Sequence, residues 1–170
     1  MYIYQPHWHE DLEVVYTIKG RNLHYIQGKC FEGIPGRVLV VNSEFVHNTI
    51  PDPALRDHSE VVAYLVTISR PFLEKCFPQY QDIYFTNERE QASAALLGCM
   101  ERIITYQEEL KQNEFDYLYA QSLALELLYR LSQEGTVARN AVDRVNSLKN
   151  IERIRGVLQY VEEHYQEPLT

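Results

Sequence analysis

The sequence predicts an α+β chain, with a small antiparallel β-barrel or sandwich first and an α-helical module after it. Three observations predict this. Up to about residue 70, short β-branched and aromatic runs alternate with turn formers every ~8 to 12 residues. Beyond that point the apolar period lengthens to that of helices. The chain has 170 residues, 45% of them apolar, which suffices for a sizeable core, and no apolar run reaches the ~18 residues of a membrane span.

The first strands read as Asp11 to Ile18, Asn22 to Gln27, Arg37 to Val41 and Val61 to Ser69. The turns between them are Lys19-Gly20-Arg21-Asn22, Gln27-Gly28-Lys29, Gly33-Ile34-Pro35-Gly36 and Pro51-Asp52-Pro53. Val38 to Val41 and Val61 to Val66 are apolar on both faces, so some other element must cover one face of their sheet. Pro71 to Cys76 forms a short helix that Pro78 stops.

Asn87 and Glu90 have the spacing of a capping box, which opens a helix to about Leu110 with the stripe Ala92, Leu96, Cys99, Met100, Ile103, Tyr106 and Leu110. A further helix runs from about Glu114 to Gln133, with Gly135 as a left-handed cap. Its leucines are not confined to one stripe, so it needs cover on two sides, from the chain itself or from a second copy. Residues 136–147 read as a linker. A last helix runs from about Leu148 to Glu167, with Ile151, Ile154, Leu158, Val161 and Tyr165 on one face. Thr170 has the character of a helix N-cap, so the chain is expected to be part of a longer protein.

There are 24 acidic against 16 basic residues, a net charge of −8, which argues against a surface that grips phosphates. Cys30, Cys76 and Cys99 are odd in number and form no C-x-x-C pair; they read as reduced thiols filling the core of a cytoplasmic protein. The N-terminus lacks a signal-peptide layout, and no membrane partner is expected. There is no G-x-S-x-G, P-loop or dinucleotide fingerprint.

The stretch that carries chemistry is His7-Trp8-His9-Glu10-Asp11-Leu12-Glu13. On a strand His7, His9 and Glu13 share parity, and so do Val15 and Thr17, while Val14, Tyr16 and Ile18 take the other face. Two imidazoles and a carboxylate facing a barrel interior can hold Zn, Fe, Mn or Ni. They can equally serve as hydrogen-bonding groups for a polar ligand, or as structural groups at the barrel mouth.

The spacing His7-x-His9-x3-Glu13-x6-Gly20 resembles the first cupin motif. Gly36-x5-Asn42-x-Glu44-x2-His47 is similar to the second, but with Asn42 in place of its proline, Glu44 in place of its second glycine and Pro51 in place of its asparagine. Tyr160-Val161-Glu162-Glu163-His164-Tyr165, continuing to Thr170, resembles the entry into the DNA-binding region of AraC-type transcription regulators. That resemblance spans nearly the whole chain. It implies a cupin-like (jelly-roll) β-barrel in residues 1–70 as effector sensor, a helical module in residues 71–135 that packs on the barrel or dimerises, and the start of a DNA-binding region in residues 148–170.

It further implies a small-molecule effector, a sugar or other metabolite, bound near His7, His9, Glu13, His24, Tyr25 and His47. A divalent metal would be held by His7, His9, Glu13 and His47. The implied homodimer seam is Leu118, Gln121, Leu125, Leu128 and Ser132, with Leu96, Ile103 and Leu110 as a possible extension. DNA would be reached only through helix-turn-helix units beyond Thr170. No catalysis is expected on this reading; the alternative is a metal-dependent cupin oxygenase or isomerase using the same quartet. Tyr16 and Tyr64 are further pocket candidates. Trp8 is expected to face away from its flanking histidines, and His58 to lie in a solvated loop.

Overall fold

A computed structural model describes residues 5–51, 62–109, 114–139 and 160. By internal contacts the chain divides into residues 1–137 and 138–170. The expected last helix and His58 lie outside the described residues, save for Tyr160, which is helical.

Strands β1 Leu12–Lys19, β2 Asn22–Ile26, β3 Lys29–Gly33, β4 Val38–Val41, β5 His47–Pro51 and β6 Val62–Ile68 form two antiparallel three-stranded sheets, in the orders β4-β1-β6 and β3-β2-β5. The register sets Glu13 against Val41 and Thr67, His24 against Phe31 and Thr49, and Ile26 against His47. Helix α1 Arg70–Cys76 and a single 3-10 turn at Pro78–Asp82 lead to β7 Ile83–Phe85, α2 Ala94–Glu109, α3 Asp116–Glu134 and β8 Thr136–Ala138, which pairs with β7.

Alternation along β1 divides the interior in two. Leu12, Val14 and Tyr16 join Val38, Val40 and Ile68 in one apolar core with Leu73, Leu96, Cys99, Met100, Ile104, Leu127, Leu128 and Leu131. Glu13 and Val15, with Ala63 and Leu65 of β6, line the barrel interior towards the second sheet. The helices therefore supply the cover that fully buried β4 requires. β6 departs from its expected burial: Val62 and Leu65 are exposed because β6 lies at the edge of its sheet, while Tyr64, Val66 and Ile68 pack towards the helices.

Two carboxamides fasten β4 to β7. Asn42 donates Nδ2 to the Phe85 carbonyl (2.9 Å) and accepts from the Phe85 N–H at Oδ1 (2.8 Å). Asn87 makes the same two-point contact with Val40, both at 2.8 Å. The backbone groups on that edge of β4 are thus satisfied by a side chain. Asn87 is therefore not the cap of α2. Ser93 is: its Oγ accepts from the Leu96 N–H at 3.2 Å, and the helix opens at Ala94.

Gly135 does end α3, but at φ 151°, ψ 139°, not in the left-handed cap conformation. The chain leaves in an extended path only glycine adopts freely, into β8, so the stretch read as linker begins as strand. Of the cysteines only Cys99 is buried; Cys30 and Cys76 are exposed and do not fill the core.

Candidate functional site

His7 and His9 precede β1 and do not lie on it. They reach the barrel by a different route from strand alternation. His7 makes an antiparallel bridge to His47, with His7 N–H to His47 O at 3.0 Å and His47 N–H to His7 O at 2.9 Å. The His9 carbonyl accepts from the Glu44 N–H at 2.8 Å. Glu44 is at φ 70°, a left-handed conformation that a non-glycine residue adopts at a cost. It thus takes up the backbone turn that the motif's glycine would supply, and His47 is presented to the site despite the substitution.

The quartet expected from the sequence comes together. His7, His9 and His47 each offer a ring nitrogen within 4.8 Å of the others. The His7 and His9 ring centroids lie 4.2 and 4.9 Å from that of His47. Glu13 Oε2 is 3.1 Å from His9 Nε2 and 3.7 Å from His47 Nε2.

The outer ring nitrogens are equally ordered. Nδ1 of His7, His9 and His47 lies 2.9, 3.0 and 2.9 Å from the carbonyls of Gln5, Asp11 and Phe45. A carbonyl only accepts, so each Nδ1 carries a proton; in the neutral ring each Nε2 is then left as the coordinating nitrogen, and that of His9 is turned to the Glu13 carboxylate at hydrogen-bond distance. His47 Nε2 is buried without a hydrogen-bond partner. With their Nδ1 positions protonated, the Nε2 atoms and the Glu13 carboxylate are all electron-pair donors. The cluster asks for positive charge at its centre, either a proton or a divalent cation.

The electrostatics agree. Burial would raise the Glu13 carboxyl, but the His47 and His9 contacts outweigh it and hold it below the usual carboxylate range. Burial likewise opposes charge on His47, yet Glu13 and the Phe45 carbonyl hold its pKa above that of an ordinary imidazole. The donor set and its outer partners fit the divalent ion that cupin-like sites accommodate.

Three of the four, His7, Glu13 and His47, line a cavity of about 270 Å³ between the two sheets, with Asn22, His24 and Thr49 completing its polar side; His9 does not line it. Val15, Ala63, Tyr64 and Leu65 form the remainder. His24 points inward, its Nδ1 2.9 Å from Thr49 Oγ1 and its Nε2 buried and unpartnered. Chiefly through burial, its pKa falls to about 4, so the ring is neutral.

Tyr25, expected beside it, takes the opposite face of β2, where its phenol interacts with Cys30, and it is not a cavity residue. Tyr16 is likewise removed from the pocket candidates by its place in the apolar core. Trp8 is half-buried and does not line the cavity. Asn22 and Thr49 were missed from the sequence; the strand parity that selects His24 and a paired β5 would have found both. A larger, apolar hollow of about 470 Å³ lies elsewhere, between β6, α1, α2 and α3, and carries none of these groups.

The family of AraC-like ligand-binding domains matches residues 1–128. The chain belongs to that family. No curated protein matches the sequence. An AraC-like ligand-binding domain is a regulatory sensor module, and the cupin-like barrel with its helices is the architecture expected of one. No helix among the described residues is long and apolar enough to cross a membrane.

Leu118, Gln121 and Leu125 of the expected dimer seam are exposed on α3, and Ser132 is half-buried. Leu128 is not available to a partner: it packs in the chain's own core, 4% exposed. The exposed neighbour that extends the row is Tyr129. Of the possible extension, Leu96 is buried, Ile103 faces the apolar hollow, and Leu110 lies outside the described residues.

Proposed function

We propose that this AraC-like domain senses a small-molecule effector in the 270 Å³ cavity of its barrel, and that a divalent cation held by His7, His9, Glu13 and His47 forms part of that site. The observation that carries the reading is the set of three imidazoles, each pinned through Nδ1 to a main-chain carbonyl and each with a ring nitrogen within 4.8 Å of the others, with the Glu13 carboxylate beside His9 and His47. Pre-orientation of this kind is what metal-binding histidines need. When bound, the ion supplies a Lewis-acid anchor for a donor atom of the effector. His24, Asn22 and Thr49 then offer hydrogen-bonding groups to the rest of a polar molecule, and Val15, Ala63 and Leu65 its apolar wall.

The domain acts as a sensor, not as an enzyme. Effector binding shifts the packing of barrel against helices, and two copies joined along the outer face of α3 transmit the shift to DNA-reading helix-turn-helix units beyond this chain. Leu118, Leu125 and Tyr129, all large and exposed on one helix, support that pairing. The test is thermal denaturation against a panel of metabolites, with and without zinc, while each stabilising compound is followed for chemical change. Stabilisation without turnover supports a sensor; turnover of the compound overturns it in favour of a cupin enzyme.

A further inference from the structure

Both backbone segments that carry the imidazoles are held by one residue of the helical module. Arg70, the first residue of α1, places its guanidinium 3.2 Å from Glu44 Oε1 and 3.6 Å from Glu10 Oε1, with Nε donating to Glu74 Oε1 at 2.9 Å. Its main-chain N–H donates to Asp11 Oδ1 at 2.9 Å. That contact caps α1 from another element, because Ser69 at the N-cap makes no side-chain cap of its own.

The residues Arg70 grips are the ones that fix His9. The Asp11 carbonyl orients His9 through Nδ1, and the Glu44 N–H holds the His9 carbonyl. Glu44 is also the strained residue three positions before His47, and its side chain is only 11% exposed. A residue in the left-handed region persists when its surroundings over-determine it. The Arg70 ion pair and the His9 carbonyl are those surroundings here.

We propose that Arg70 is the positioning residue of the His–Glu site and couples the occupancy of that site to the start of α1. The inference rests on the reading of the quartet as a cation site. Arg70 does not touch the ion's place; it sets the distance between the His7–Glu13 and Asn42–His47 segments. A cation drawing those segments together strengthens the clasp, and by reciprocity a firm clasp strengthens cation binding. α1 passes Phe72 to the apolar hollow between β6, α2 and α3, so the clasp ends where barrel meets helices.

The probe is cobalt(II), whose visible absorption reports both affinity and ligand geometry, added to the whole chain. Arg70→Gln should weaken cobalt binding about tenfold or more, the usual size of an outer-partner effect at metal sites, and shift the absorption bands. Arg70→Lys, which keeps the charge but not the fork, should fall between. Glu74→Gln, which touches Arg70 but neither segment, should leave affinity unchanged. Hydrogen exchange gives an arm that needs no metal: in Arg70→Gln the Glu44 and His47 amides should exchange faster.

If the parent protein binds cobalt and Arg70→Gln binds it equally well, with unchanged exchange at Glu44 and His47, the proposal is overturned. If the parent binds no cobalt but exchange at those amides rises in the variant, the cation reading fails and the positioning role stands. Should Arg70→Gln not fold, Glu44→Gln opens the same clasp from the barrel side, and the same outcomes decide.

Discussion

Acid should weaken this fold through one buried imidazole. His24 is 4% exposed and has a folded-state pKa of about 4, against about 6.5 for the unfolded ring. Burial is the main cause; the positive field of His47 and Arg37 adds to it and Glu13 opposes it. Between those two pKa values the unfolded chain binds a proton that the folded chain refuses, so stability rises with pH and is lost on acidification through that window.

Each pH unit inside the window is worth about 1.4 kcal/mol. Allowing for partial titration near 6.5, lowering the pH from 7 to 5 should cost about 2 kcal/mol, or roughly 4–8 °C in Tm for a chain of this size. His47 acts in the opposite sense. Its raised pKa contributes stability that is fully present below about 6.5 and lost as pH rises through the folded value. The comparison that isolates His24 is therefore between the parent and His24→Gln, by urea unfolding at pH 5, 6, 7 and 8. Trp8, the sole tryptophan, reports from beside the site. The variant should lose about 2 kcal/mol less than the parent over this range; parallel stability curves would refute the reasoning.

Further outcomes follow from the same contacts. In Gly33→Ala the new methyl would meet Asn22 Oδ1 head-on and come within 2.8 Å of His24 Nε2 and 2.9 Å of Thr17 Oγ1. A loss of about 1–3 kcal/mol in urea unfolding is expected, and a neutral result would mean those polar groups move freely. Asn42→Ala strands the N–H and C=O of Phe85 in a buried setting and should cost about 2–4 kcal/mol, checked by the same melts. Leu125→Arg places a charge on the exposed side of α3 and should convert a dimer to monomer in sedimentation equilibrium. An unchanged mass removes that face from the interface.

Much of this architecture was legible because burial and sequence period agree. β1, with Glu13 and Val15 to the interior and Leu12, Val14 and Tyr16 to the helices, follows from alternation alone. β3 and β5 were not legible: they flank β2 as the outer strands of their sheet, and Lys29–Gly33 and His47–Pro51 carry little of the apolar alternation that marks a half-buried strand. Asn87 misled because the same side chain that caps a helix can also pair with a strand edge, and only the fold decides which N–H it meets.

The histidines were found by their spacing, yet the reason they converge was not on one strand. It lies in a bridge between His7 and His47 and in the backbone of Glu44, both long-range in sequence. Arg70 could not be singled out, since its partners Glu10, Asp11 and Glu44 lie 26 or more residues before it.

The most direct test measures zinc by elemental analysis after the protein is loaded and exhaustively dialysed, alongside His47→Ala. The account expects one ion per chain in the parent and little in the variant. A parent that retains none, or a variant that retains as much, would contradict it.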